Sequence, residues 1–106
     1  MDEMKVYLVG FMGAGKSTVA PILAEKLDLD WVDTDELVEE REGLTIPEIF
    51  DYYGEDRFRE IEREVIKEVS RSGPKVIAVG GGAPMDRTNL SRMKSSGEVV
   101  YLEIGP

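Results

Sequence analysis

The apolar positions of this chain switch repeatedly between short continuous runs and a helical spacing. Residues 4–9, Met-Lys-Val-Tyr-Leu-Val, read as a short buried strand. A glycine-rich turn follows, and the spacing beyond it predicts a helix over about 15–27. Trp31-Val32-Asp33 reads as a second short strand that ends in acid, followed by a helix over about 35–41 closed by Gly43. Thr45 and Glu48 have capping-box spacing, with Pro47 near the helix start, and that helix should end by Gly54. The clearest amphipathic helix carries Phe58, Ile61, Val65 and Val69 at helical spacing and stops at Ser72-Gly73-Pro74. Residues 76–79 form a continuous apolar run, as in a strand covered on both faces, and lead straight into Gly80-Gly81-Gly82. A short helix over 86–95 and a fourth strand from Glu98 to Ile104 complete the pattern.

Strands alternating with helices predict an α/β fold: a parallel sheet of about four strands with helices on both faces. Residues 1–106 read as one domain, without repeat or linker. Val99-Val100-Tyr101-Leu102 has the composition of an interior strand, yet little sequence follows that could cover it. Open apolar edges are usually avoided, so self-association through this last strand is expected.

Composition narrows the chemistry. Thirteen basic residues against 22 acidic ones give a formal charge of −9, which argues against nucleic acid or an anionic membrane as partner. Any anion site must then be local and built from backbone amides. The chain has no cysteine and no histidine, which excludes disulfides, thiol catalysis and imidazole bases or ligands. A base must be a carboxylate, a lysine or a tyrosine. No apolar run approaches membrane-span length, and the acidic start leads directly into a strand, unlike a signal peptide. A cytoplasmic protein is the expectation.

Gly10-Phe11-Met12-Gly13-Ala14-Gly15-Lys16-Ser17 matches the P-loop pattern, G-x-x-x-x-G-K followed by Ser or Thr. Glycines let successive amides turn inward and approach phosphate oxygens, and the helix that starts there adds its unpaired amides and dipole. Lys16 would reach the terminal phosphates and Ser17 would ligate Mg2+. The bland alternative is an ordinary glycine turn before a helix, but the motif lies between strand and helix, as a P-loop requires.

Asp33-Thr34-Asp35 ends the second strand, and ligands of α/β sheets gather at the carboxyl ends of strands. Asp33 is a candidate for the magnesium shell. Asp35 is a candidate to accept a hydrogen bond from a substrate hydroxyl, and its proton. Helix capping explains the same residues more simply. Arg59 has the geometry to grip a carboxylate with two parallel bonds, against the plainer reading of a solvated arginine paired with Glu62. Gly80-Gly81-Gly82 would let a ligand touch backbone; the alternative is a plain turn. Tyr52 and Tyr53 read as packing residues, and Trp31 as core or rim.

Together these stretches resemble the shikimate kinase family. Its pattern is G-F-M-G-x-G-K with Ser or Thr, then F-x-D-x-D, G-E-x-x-F-R-x-x-E and a glycine triplet after an apolar strand. The chain has Gly10 to Ser17, Trp31 to Asp35, Gly54 to Glu62 and Gly80 to Gly82 in that order, with Trp31 in place of the common phenylalanine. The resemblance implies ATP- and Mg2+-dependent phosphorylation of the 3-hydroxyl of shikimate, in aromatic amino acid biosynthesis. It implies nucleotide binding by Gly13, Ala14, Gly15, Lys16, Ser17 and Thr18, metal binding by Ser17 and Asp33, and catalytic roles for Lys16, Asp33 and Asp35. Asp35 and Arg59 would hold shikimate by its hydroxyls and carboxylate, with Gly81 and Gly82 adding backbone contacts. Family members are usually monomeric. They also continue past the fourth strand into a lid, a fifth strand and an adenine-binding loop, so the chain reads as truncated and weak or inactive alone. Two other readings stand beside this one: another small-metabolite P-loop kinase, such as a gluconate kinase, and a non-catalytic phosphate-binding module.

Overall fold

The computed structural model describes residues 4–10 and 16–102, with Lys16 and Ser17 described by their backbone alone. The strands are β1 (Lys5–Val9), β2 (Asp30–Asp33), β3 (Lys75–Ala78) and β4 (Glu98–Tyr101). The helices are α1 (Lys16–Leu27), α2 (Thr34–Glu42), α3 (Ile46–Ser70) and α4 (Arg87–Ser96), with a short 3₁₀ turn at Ala83–Met85. The four strands form one parallel sheet in the order β2-β3-β1-β4.

Strand alternation explains the layers. Val6 and Leu8 of β1 and Val76 and Ala78 of β3 point to one face, where Ala20 and Ala24 of α1 cover them. Tyr7 and Val9, with Ile77 and Val79, point to the other face and meet Ile66 and Val69 of α3 and Met93 of α4. A strand covered on both faces needs no polar alternation, which is why β1 and β3 read as unbroken apolar runs. Ile66 and Ile77 are completely buried, and each such side chain contributes about 1.5–3 kcal/mol over an exposed one. The Tyr7 hydroxyl shares a 2.7 Å hydrogen bond with Ser96 Oγ, so its burial under α4 leaves no polar atom stranded.

The helix boundaries follow from caps. Asp33 caps α2, and Gly43 ends it in the left-handed region at φ 68°. Thr45 and Glu48 form the expected capping box at the start of α3. At Gly54 the backbone of α3 leaves helical geometry (φ 84°, ψ 172°), a conformation that favours glycine. The helix therefore has two arms, and the first does end at Gly54 as its spacing predicts. On the second arm Phe58, Ile61, Val65 and Val69 are all buried.

One expectation is overturned. Tyr52 and Tyr53 do not pack inside: they are 70% and 57% exposed, in the last turn before the Gly54 kink ends the face that Ile49 buries. The last strand forms the open edge that the sequence predicts, with Val99 and Leu102 packed against the core. Among the described residues β4 pairs only with β1, and Val100 and Tyr101 are exposed on the sheet edge. The strand itself ends at Tyr101, although Leu102 N–H still donates to Val9 O at 2.8 Å. The predicted extension to Ile104 and the first residue of the predicted helix, Gly15, lie outside the described residues. Trp31 sits half-buried at the rim of the α1-facing core. Among the described residues no helix is long and apolar enough to cross a membrane.

Candidate functional site

Parallel strands bring their carboxyl ends to one rim, and the chain's candidate residues converge there. Of the P-loop, Phe11 to Gly15 lie outside the described residues, so Gly13, Ala14 and Gly15 are placed only by their flanks. Those flanks fit: β1 ends at Val9, and α1 begins at Lys16, with Ser17 in its first turn. The amide dipoles at the start of α1 point toward the rim where β1 ends. Thr18 is exposed on the same turn.

Asp33 ends β2 and caps α2. Its Oδ1 accepts from Asp35 N–H at 2.8 Å and from Glu36 N–H at 3.4 Å. Both capping bonds use Oδ1, so the cap makes no demand on Oδ2. The capping reading of Asp33 is thus realised, and it leaves a ligand role compatible with the same side chain.

Asp35 and Arg59 come together across 24 residues of sequence at one cavity of about 320 Å³. Ile46, Phe50 and Phe58 give it an apolar side, and Glu62, Gly81 and Gly82 complete the lining. The two phenylalanine rings stack with centroids 4.9 Å apart. The volume is at the small end for ligand pockets, and an apolar wall with few convergent polar groups is the usual composition of one.

Arg59 is held from several sides. Its Nη1 donates to Glu62 Oε1 at 2.9 Å, Nη2 lies 3.6 Å from Glu55 Oε2, and the guanidinium stands 5.1 Å from the Phe58 ring centroid. The plain pairing with Glu62 is therefore present, and it fixes Arg59 at the cavity wall instead of removing it from the site. The side chain of Glu62 is only 2% exposed. Burial pushes its carboxyl above the usual range; the bond and charge of Arg59 pull it back, while the charges of Asp35 and Asp86 push it further up.

The glycine segment after β3 explains its own composition. A Cβ at Gly80 would stand 2.5 Å from Asp35 Oδ1, and one at Gly82 would stand 2.7 Å from both terminal nitrogens of Arg59. The bare backbone is the surface against which both candidate substrate residues rest. The far end of the segment is anchored by Asp86, whose Oδ2 accepts from Arg63 Nη1 at 2.9 Å while Oδ1 caps α4. Burial alone would raise the Asp86 carboxyl, but bonds from Arg63, Asn89 and Thr88 outweigh it and hold the group below its ordinary value. Asn89 Nδ2 donates to Ala83 O at 3.1 Å, supporting the turn from inside.

Sequence reading named Glu62 only as a partner of Arg59, without placing it in the cavity, and missed the apolar wall of Ile46, Phe50 and Phe58. A signal for Glu62 existed: it stands four residues after Phe58 and three before Val65, in phase with the buried stripe. Its raised carboxyl has a measurable consequence. Relative to an unfolded value near 4.5, folding favours the protonated form, so the stability Glu62 contributes is full below that value and is lost as pH rises through the folded one. In thermal melts the stability of the native chain relative to Glu62→Gln should fall as pH climbs from the carboxylate range to neutrality. A flat or rising difference would contradict the burial of a strained carboxyl here.

A shikimate kinase family model matches residues 12–106. The chain is 48% identical over 99 residues to a shikimate kinase of Sulfurihydrogenibium sp., covering 93% of this chain and 60% of that protein. Among solved structures it superposes on shikimate kinase from Aquifex aeolicus with a TM-score of 0.90 at 45% identity, covering 96% of this chain and 61% of the other. Shikimate kinase from Acinetobacter baumannii in complex with shikimate gives a TM-score of 0.94 at 43% identity, covering 97% and 57%. The chain therefore spans about 60% of the length of the relatives it matches.

Proposed function

Because the chain belongs to the shikimate kinase family, we propose that the protein transfers the γ-phosphoryl group of ATP to the 3-hydroxyl of shikimate. The carrying observation is the cavity in which Asp35 and Arg59 face one small, partly apolar space against bare glycine backbone. A cyclic acid with several hydroxyls fits these groups. Arg59 meets its carboxylate, Asp35 accepts from a hydroxyl, Phe50 and Phe58 cover the ring, and Gly81 and Gly82 offer backbone.

The roles on the nucleotide side rest on the motif. Gly13 to Thr18 cradle the phosphates, and Lys16 pairs with the terminal ones. Asp33, a hard oxygen donor at the end of β2, fits a magnesium site completed by Ser17, nucleotide oxygens and water. When bound, that ion neutralises charge on the nucleotide phosphates. In the transfer, the hydroxyl oxygen forms the new bond to phosphorus as the bridge to the β-phosphate breaks, and ADP leaves. Asp35 orients the attacking hydroxyl and is the carboxylate within reach of its proton. Such transfer depends mainly on positioning and charge stabilisation, which is what a phosphate cradle and a two-point substrate grip supply.

The same reading places the reaction in the cytoplasm. It also leaves the exposed β4 edge, with Val100 and Tyr101, as the surface through which this chain would self-associate.

A substrate panel tests the function. ADP release should depend on shikimate and should not occur with gluconate; release with gluconate alone would overturn the assignment. A second prediction concerns Gly82. A Cβ there stands 2.7 Å from both terminal nitrogens of Arg59, so Gly82→Ala should push the guanidinium aside, weakening shikimate binding by about tenfold, the worth of one displaced charged contact, and lowering the melting temperature modestly by loosening the Arg59–Glu62 pair. Unchanged affinity would show that Arg59 is not gripping the substrate from this position.

A further inference from the structure

Thr34 stands between Asp33, the last residue of β2, and Asp35 of α2, and is completely buried. Its hydroxyl Oγ1 accepts from Gly80 N–H at 2.9 Å, a buried contact across 46 residues of sequence. The sheet explains why a side chain is used. The β2–β3 ladder runs to the pair Asp33↔Ala78, where the backbone of β2 turns into α2. On the other side of β3 the sheet continues one step further, with Val79 N–H donating to Leu8 O at 3.0 Å. Gly80 N–H, the next donor facing β2, meets no strand carbonyl there, and the Thr34 hydroxyl takes that place.

Gly80 is also the residue whose bare backbone touches Asp35. Beyond it, Gly82 touches Arg59. We infer that Thr34 is a positioning residue: by fastening Gly80 it fixes the distance between the acidic end of β2 and the glycine segment on which Asp35 and Arg59 rest. The inference rests on the reading of this cavity as the shikimate site. It assigns Thr34 no contact with substrate, since its side chain is enclosed. Loss of the hydroxyl leaves the Gly80 N–H buried without a partner, and the segment must move to rehydrate it. Asp35 and Arg59 would then lose their common backing while the P-loop, carried by β1 and α1, keeps its own.

The test compares Thr34→Val, which keeps the shape and removes the hydroxyl, with Thr34→Ser, which keeps the hydroxyl. Each is titrated calorimetrically with shikimate and, separately, with ATP, alongside a thermal melt. Thr34→Val should bind shikimate on the order of tenfold more weakly, with ATP affinity retained, and Thr34→Ser should restore shikimate affinity. If Thr34→Val does not fold, Thr34→Ala replaces it in the comparison with Thr34→Ser. The inference is overturned by native shikimate affinity in a folded variant lacking the hydroxyl. It is equally overturned by failure of serine to rescue, or by equal losses for ATP and shikimate, which would mean general loosening. Failure of the native protein to bind shikimate at all is a different result: it removes the functional reading, and this inference with it.

Discussion

Replacing Arg59 with alanine should weaken shikimate binding by roughly ten- to a hundredfold, the loss expected when charge-assisted bonds to a carboxylate are removed. Nucleotide binding should change little, because Arg59 lies on α3 at the cavity of Asp35 and the P-loop precedes α1. The substitution has a second effect that must be separated from the first. It strips the buried Glu62 of its partner at 2.9 Å. A fully buried pair broken this way costs roughly 3–5 kcal/mol, and the cost here should be smaller because Arg59 is partly exposed and the carboxyl, already raised, can take up a proton. The double variant Arg59→Ala with Glu62→Gln removes the stranded charge. It should melt higher than the single variant while binding shikimate no better. Recovery of affinity in the double variant would show that Arg59 acts through the fold and not on the substrate.

The second large effect is expected at Lys16. Lys16→Ala should lower ATP affinity by about ten- to a hundredfold, since a lysine on a phosphate is one strong point-charge contact in a cradle otherwise made of amides. The fold should survive. Lys16 is the first residue of α1, and alanine is the best helix former. Calorimetry with ATP reads the affinity, and a thermal melt confirms folding. Native ATP affinity in the folded variant would remove the P-loop assignment. Shikimate affinity should stay close to native in the same variant, the mirror image of the Arg59 result, and the two together map nucleotide and substrate onto different helices, α1 and α3.

How far the sequence announced this structure depends on the range of the contact concerned. The strands of β1 and β3, the capping box at Thr45, the kink at Gly54 and the buried stripe of α3 are local consequences of residue type and spacing, and they were legible. The meeting of Asp35 with Arg59 came only from the family resemblance, because Arg59 lies within α3 and no strand end announces it. The plainer readings of Asp33 and Arg59 are both realised. Asp33 caps α2 through one oxygen, and Arg59 pairs with Glu62, yet each remains at the rim. What spacing could not supply were contacts that depend on register between distant segments. The tie from Thr34 to Gly80 and the approach of Gly82 to Arg59 both require knowing that β2 lies beside β3. Glu62 was read only as a solvated partner of Arg59, although helical phase put it on the buried face. Tyr52 and Tyr53 misled for the converse reason: aromatic character suggests burial, but the kink removes the surface that would cover them.

The most direct measurement is phosphorus NMR of the protein incubated with ATP, Mg2+ and shikimate, since it identifies the product whatever the rate. The account predicts loss of the ATP γ-phosphate resonance and growth of one phosphomonoester resonance coupled to the proton on carbon 3 of the ring, with nothing formed when gluconate replaces shikimate. Phosphorylation at another hydroxyl, phosphorylation of gluconate, or release of inorganic phosphate alone while shikimate stays unmodified would contradict it.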